Sequence, residues 1–315
     1  MRTFHSISHG LKRAFGDPKL LLLLWLINSL AALPGALAVG DAIQHDLGAS
    51  AFHQGLDQGF DMDWMAEYNA RHESGFPSLF DPVRSGAGVV YENLDAWFGG
   101  RVLGQNPALA VLLVAFGLAW TLLQGGLIAR LAKPKTRFSA RTFFGDAGGY
   151  FVRFLLLAAM AGVVYWLLYR LAAWNFGHLD EAFTKAGTER SLLFDVLAMG
   201  AIFVLLLHAV RMVFDYAKIA VVQDGSRLVP AALWQGLRFV FRRPLRTICV
   251  YAGVGVLSLA FLWLYTRLAP GAGQSTTAGV AFAFVVSQIF VAGRIFLRIT
   301  LLGAEVEVYR DTGGM

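Results

Sequence analysis

Apolar positions in this chain gather into six blocks, 20–39, 108–131, 150–174, 192–214, 245–268 and 277–302. Each is long enough, at about 1.5 Å per helical residue, to cross a hydrocarbon layer of about 30 Å. Two further stretches alternate at helical spacing. Phe4, Ile7, Leu11 and Phe15 fall three, four and four apart, with Lys12 and Arg13 off that face. Val229, Leu233, Leu237 and Phe241 recur every four residues beside Arg238 and Arg242. Both patterns predict short amphipathic helices lying in a membrane interface. Asp17-Pro18 and Asn106-Pro107 are cap-plus-proline starts for the first two spans. Pro34 should kink the first span near its far end. The fourth block runs on without a break into "DYAKIAVV" and turns at Asp224-Gly225, and the second amphipathic helix follows. The predicted fold is all-α: a polytopic transmembrane helical bundle of six spans with cytoplasmic interfacial amphipathic helices, a single membrane domain over 1–315.

The polar connections differ in sign. Residues 40–106 hold ten acids (Asp41, Asp46, Asp57, Asp61, Asp63, Glu67, Glu73, Asp81, Glu92, Asp95) against Arg71, Arg84 and Arg101, a balance of minus seven. A connection so poor in Lys and Arg belongs outside. Helices are expected there at "MDWMAEYNARH" and "GVVYENLDAWF", making a small extracytoplasmic cap. The connection after the second span carries Arg130, Lys133, Lys135, Arg137 and Arg141 against Asp146. The segment 215–244 carries Lys218, Arg227, Arg238, Arg242 and Arg243 against Asp215 and Asp224. Both belong inside, and so do both termini. A short tail with Glu305, Glu307, Arg310 and Asp311 follows the last span.

Composition agrees. The chain of 315 residues is 57% hydrophobic and 15% charged, where a soluble domain is about 45–50% apolar and about 25% charged. The net charge of +6 expresses topology rather than nucleic-acid binding. The first apolar block follows nineteen residues and is of full span length, so it reads as a span and not a cleaved signal. One cysteine, Cys249, can form neither an intramolecular disulfide nor a thiolate metal site.

The chain also repeats. "GLKRAFGDP" at 10–18 and "GLRFVFRRP" at 236–244 share Gly, Leu, Phe and Pro, and Lys12 matches Arg238. A weaker echo, "FFGDAGGYF" from Phe143, precedes the third span. This suggests three parallel hairpins, each an interfacial helix, a span out and a span back.

The least ordinary chemistry is a stripe of ionisable residues. His208, Arg211, Asp215 and Lys218, at steps of three, four and three, share one helical face. Asp215 lies twenty residues after Asp195, which puts the stripe near the inner headgroups. It reads either as an ion-paired, snorkelling cluster or as a proton relay or head-group site. Arg294 and Arg298, four apart on the sixth span, sit at matching depth and need a counter-charge, for which Asp215 is the candidate. His45, His53 and His72 lie among acids with no tight ligand spacing. Gly125-Gly126 and Gly148-Gly149 could permit close helix approach. There is no phosphate-binding glycine loop and no nucleophile elbow, and Ser287 and His208 lie on different spans.

The leucine-rich first span with Trp25 and Asn28, together with "DYAKIAVVQDG" and "LWQGLRFVFRRP", resembles six-span bacterial inner-membrane proteins of uncharacterised function. It is loosely similar to the membrane domains attached to some glycerophosphodiester phosphodiesterases. The likeness is densest over 200–245 and slight over 40–106. The soluble phosphodiesterase domain has no counterpart here, so no catalytic residue carries over. The resemblance implies a bacterial inner membrane. The expected role is a non-enzymatic scaffold or accessory factor, with no cofactor. Its expected partners are anionic inner-leaflet lipids, other membrane proteins or a second copy of the chain, and no nucleic acid. The alternatives are a small transporter or channel, which would need polar groups such as Asn28, Ser29, Thr121, Gln124, Ser258, Ser287 and Gln288 around a wet cavity, and then an intramembrane lipid-modifying enzyme.

Overall fold

The computed structural model describes residues 2–49, 63–64, 66–67, 107–133, 137–177, 189–270 and 276–312. The first expected cap helix is described only at 63–64 and 66–67, which are helical; the second, like His53 and His72, lies outside these residues. Among the described residues the chain is all-α, with no strand. The helices are α1 (Arg2–Gly16), α2 (Pro18–Ala49), α3 (Pro107–Ala132), α4 (Ala140–Gly177), α5 (Glu189–Gln223), α6 (Val229–Arg242), α7 (Pro244–Leu268) and α8 (Thr277–Asp311). Six of them, α2, α3, α4, α5, α7 and α8, are long and apolar enough to cross a membrane, and the chain is an integral membrane protein.

Local chemistry sets the boundaries. The Asp17 carbonyl accepts from the amides of Leu20 and Leu21 at 3.1 and 3.3 Å, which starts α2 with only Asp17 between it and α1. α2 runs through Pro34 without interruption and on to Ala49, past the expected end at Val39. A proline removes one backbone hydrogen bond, a loss that spans tolerate when local adjustments satisfy the freed carbonyl. α5 is continuous for 35 residues, roughly 52 Å at about 1.5 Å each, so it reaches well past any hydrocarbon layer. It ends as expected at Asp224-Gly225. The Asp224 amide still bonds to the Ala220 carbonyl at 2.9 Å, and Gly225 takes φ +66°, a left-handed value that favours glycine. Pro230 then occupies the first turn of α6.

The described residues form two compact units, each considered by itself. The first comprises Met1–Arg13, Ala119–Ala252 and Leu301–Met315. Its centre is the last three turns of α8. Every residue from Leu301 to Tyr309 is buried, Glu305 and Glu307 included. This corrects the expectation of a short tail after Leu302: the helix continues to Asp311 and is wrapped on all sides. Its Tyr309 ring packs at a tilt with those of Tyr216 and Phe239, with centroids 4.6 Å apart for Tyr216–Phe239 and 4.8 Å for Phe239–Tyr309. Glycines allow the closest crossings. A side chain at Gly236 would meet the Val213 carbonyl oxygen of α5, and one at Gly303 would meet Cα of Gly10 on α1. Gly126 likewise lies against Phe143, as its expected role requires, whereas Gly148 and Gly149 face open space.

The second unit comprises Ala14–Leu118 and Gly253–Thr300. Phe261 and Tyr265 of α7 stack on Phe290 of α8 at 5.5 and 4.1 Å, and the Phe261 ring covers Gly293. Trp25 Nε1 donates to Gln288 Oε1 at 3.1 Å, tying α2 to α8.

Candidate functional site

Two sets of charged side chains need an account: those buried around α5 and α8, and those left exposed on α1 and α6. The stripe on α5 divides between them. Asp215 is 2% exposed. Its Oδ2 accepts from the Tyr251 hydroxyl of α7 at 2.8 Å, its Oδ1 from Lys218 at 3.3 Å, and Arg211 Nε lies 3.7 Å from Oδ2. Arg211 also lies over the Tyr251 ring. His208 faces outward, one ring nitrogen 2.8 Å from the Val204 carbonyl. Thus Arg211, Asp215 and Lys218 come together as expected, His208 does not join them, and Tyr251 was missed. Tyr251 stands seven residues after Pro244 in an apolar span, where a phenol in need of a partner is the available signal. Arg294 and Arg298 belong to the second unit, where the Arg294 guanidinium lies 5.9 Å from the Phe290 ring centre.

A second buried carboxylate, Glu307, belongs to the segment expected to be a short tail after the last span. Glu307 accepts from Arg310 at 2.6 and 2.7 Å, and it is approached by His9 Nδ1 at 3.3 Å and Arg13 at 3.7 Å. This cluster fastens α1 to α8. Burial pulls the His9 imidazole below its ordinary range; Glu307 opposes that shift, and Arg13, Arg310 and His5 add to it. Asp224, which looked like a turn residue only, accepts from the Tyr309 hydroxyl. Arg243 donates to the Thr312 carbonyl at 3.1 Å and caps the Phe239 ring. These contacts join helices to one another. Among the described residues no three His, Cys, Asp or Glu side chains are grouped to hold a metal, and His45 is exposed on α2. Two of the polar groups a transport path would need are engaged locally: Gln288 by Trp25, and Ser258 by the Val254 carbonyl at 2.9 Å.

The exposed set differs in kind. α1 buries a narrow face of Ser6, Gly10 and Ala14, while Phe4 and Phe15 remain 81% and 74% exposed. α6 buries Val229, Ala232, Gly236, Phe239 and Val240 and exposes Trp234 and Phe241. Lys12 on α1 and Arg238 and Arg242 on α6 are exposed beside these rings. Of the faces expected from spacing, only Val229 is buried; Leu233 and Leu237 are half-buried and Phe241 is open. Each helix therefore has three faces: a small one against the protein, a large apolar one, and a basic one. The large apolar faces have the character of interfacial helices. Comparison with known protein families, with curated proteins and with solved structures finds no match.

Proposed function

We propose that the chain is a non-enzymatic scaffold or accessory factor of the bacterial inner membrane that binds anionic lipid of the inner leaflet through α1 and α6. The observation that carries this reading is the exposed pairing of large rings with cations on both helices: Phe4, Phe15 and Lys12 on one, Trp234, Phe241, Arg238 and Arg242 on the other. Rings of this size settle at the headgroup boundary, and each cation near an anionic surface contributes about 1 kcal/mol. The resemblance to membrane domains that accompany phosphodiesterases is compatible with a role beside lipid chemistry rather than in it. The same reading puts both termini in the cytoplasm, because the basic connections favour that side. An impermeant thiol reagent added outside should label a cysteine at Ser50 and miss one at Ser226.

The direct test is lipid dependence. Purified protein in mild detergent is titrated with phosphatidylglycerol or phosphatidylcholine and its thermal unfolding followed. The reading predicts a rise in Tm with phosphatidylglycerol that shrinks as salt is raised. Equal effects of the two lipids, insensitive to salt, would refute it.

A further inference from the structure

The nine-residue match between 10–18 and 236–244 extends in three dimensions. With Gly10 set against Gly236, fifteen positions can be compared, Phe4–Pro18 with Pro230–Pro244. Fourteen of them are equally buried, half-buried or exposed in the two helices; the exception is Arg13, half-buried where Phe239 is buried. The buried steps coincide: Ser6 with Ala232, Gly10 with Gly236, Ala14 with Val240. Both glycines sit where two helix backbones touch, Gly10 against Gly303 and Gly236 against Val213 and Ala217. Both helices end two residues before a proline that opens the next span. The first backbone bonds of those spans match as well: Leu21 to Asp17 at 3.3 Å, and Thr247 to Arg243 at 3.2 Å. Exposed Lys12 and Phe15 stand where Arg238 and Phe241 stand. The echo at Phe143 is partial. Ala147 replaces the proline, and interfacial segment and span fuse into the single helix α4 from Ala140.

We propose that α1 and α6 are two copies of one docking element for an anionic phospholipid. In each, the headgroup phosphate meets the cation at Lys12 or Arg238, and the ring of Phe15 or Phe241 enters the acyl boundary beside it. This rests on the lipid-binding reading above and adds to it a number, two sites per chain, and a ranking. Gly16 of α1 corresponds to Arg242 of α6, so the second copy offers two guanidinium groups where the first offers one ammonium. Arginine binds phosphate through paired N–H donors, so the α6 site is the tighter. Positive charge without the pairing would draw lipid diffusely. The pairing of each cation with an exposed ring on a helix fixed by a glycine crossing favours a membrane lipid over free phosphate, which has no use for the ring.

The test counts lipids. Native mass spectrometry of the full chain in detergent, with phosphatidylglycerol competing against equimolar phosphatidylcholine, should show two retained phosphatidylglycerol molecules. Lys12→Gln should remove the weaker and Arg238→Gln/Arg242→Gln the tighter, the latter by more than the roughly fivefold in affinity that one interfacial cation contributes. The triple variant should keep neither. All these positions are exposed, and an unchanged Tm without lipid establishes that each variant is folded. Inorganic phosphate at the same concentration should displace nothing. If the α6 variant loses lipid and Lys12→Gln does not, the two-copy inference fails and the lipid reading survives. If no variant alters phosphatidylglycerol retention, both fall.

Discussion

Among the described glycines, Gly236 has the closest approach to another helix's backbone, and replacing it with alanine tests how α6 is held. A Cβ built there would lie 2.5 Å from the Val213 carbonyl oxygen, 2.7 Å from the Ala217 amide nitrogen and 3.0 Å from the Ala217 Cα. These are backbone atoms of α5, so no side chain can swing aside. Restoring an ordinary contact of about 3.4 Å requires α6 to retreat by roughly 0.9 Å. Phe239 would retreat with it from Tyr216 and Tyr309, whose ring centroids lie 4.6 and 4.8 Å away. Overpacking of this kind costs about 1–3 kcal/mol. For a protein this large each kcal/mol lowers Tm by about 2–4 °C, so Gly236→Ala should unfold several degrees early in detergent. Gly148→Ala is the control. It also lies in a helix and its Cβ would meet nothing within 4 Å, so it should be neutral or slightly stabilising through helix propensity. Equal Tm values for the two variants would refute the backbone-contact argument.

Three other perturbations follow from the buried polar groups. Asp215→Ala removes the acceptor of Tyr251 and Lys218 and should cost about 3 kcal/mol, the lower end of what breaking a buried pair costs; thermal unfolding should show a much smaller effect for exposed Asp311→Ala. Tyr216→Phe should be neutral or stabilising in the same assay, because the Tyr216 hydroxyl is fully buried without a hydrogen-bond partner among the described residues and such a group costs about 1–3 kcal/mol; a clear loss of stability would show that the hydroxyl is satisfied. His9, held below its ordinary range chiefly by burial, binds fewer protons folded than unfolded, so its contribution is present above about pH 6.5 and is lost as pH falls below it. Unfolding followed from pH 7.5 to 5.5 should show a slope that His9→Gln flattens.

Much of this architecture is legible in the sequence, because lipid imposes simple rules. Six apolar blocks, the continuous run into "DYAKIAVV" and the Asp224-Gly225 turn all appear as expected. What could not be read was the end of α8. "LLGAEVEVYR" carries two glutamates near a terminus, a pattern usually solvated, yet Glu305 and Glu307 are buried. Two partners of Glu307, His9 and Arg13, come from the opposite end of the sequence, so no local pattern announces them. The faces by which α1 and α6 meet the protein are not marked by the apolar spacing for a related reason. Spacing finds the large side chains, but the helices meet their neighbours through small ones, at Gly10 and Gly236. The stripe on α5 was recognised as a unit, but its division into an inward Asp215 and an outward His208 depends on Tyr251 of a different helix.

The depth of α1 and α6 in a bilayer tests the central proposal most directly. In a Cys249→Ser background, spin labels at Phe15 and at Phe241 are compared in nanodiscs containing phosphatidylglycerol, using oxygen and a headgroup-chelated nickel as opposed relaxants. Both positions should report the same depth, at the boundary between headgroups and acyl chains, as interfacial helices require. A label at either position that reports bulk water, or the middle of the bilayer, would contradict the account.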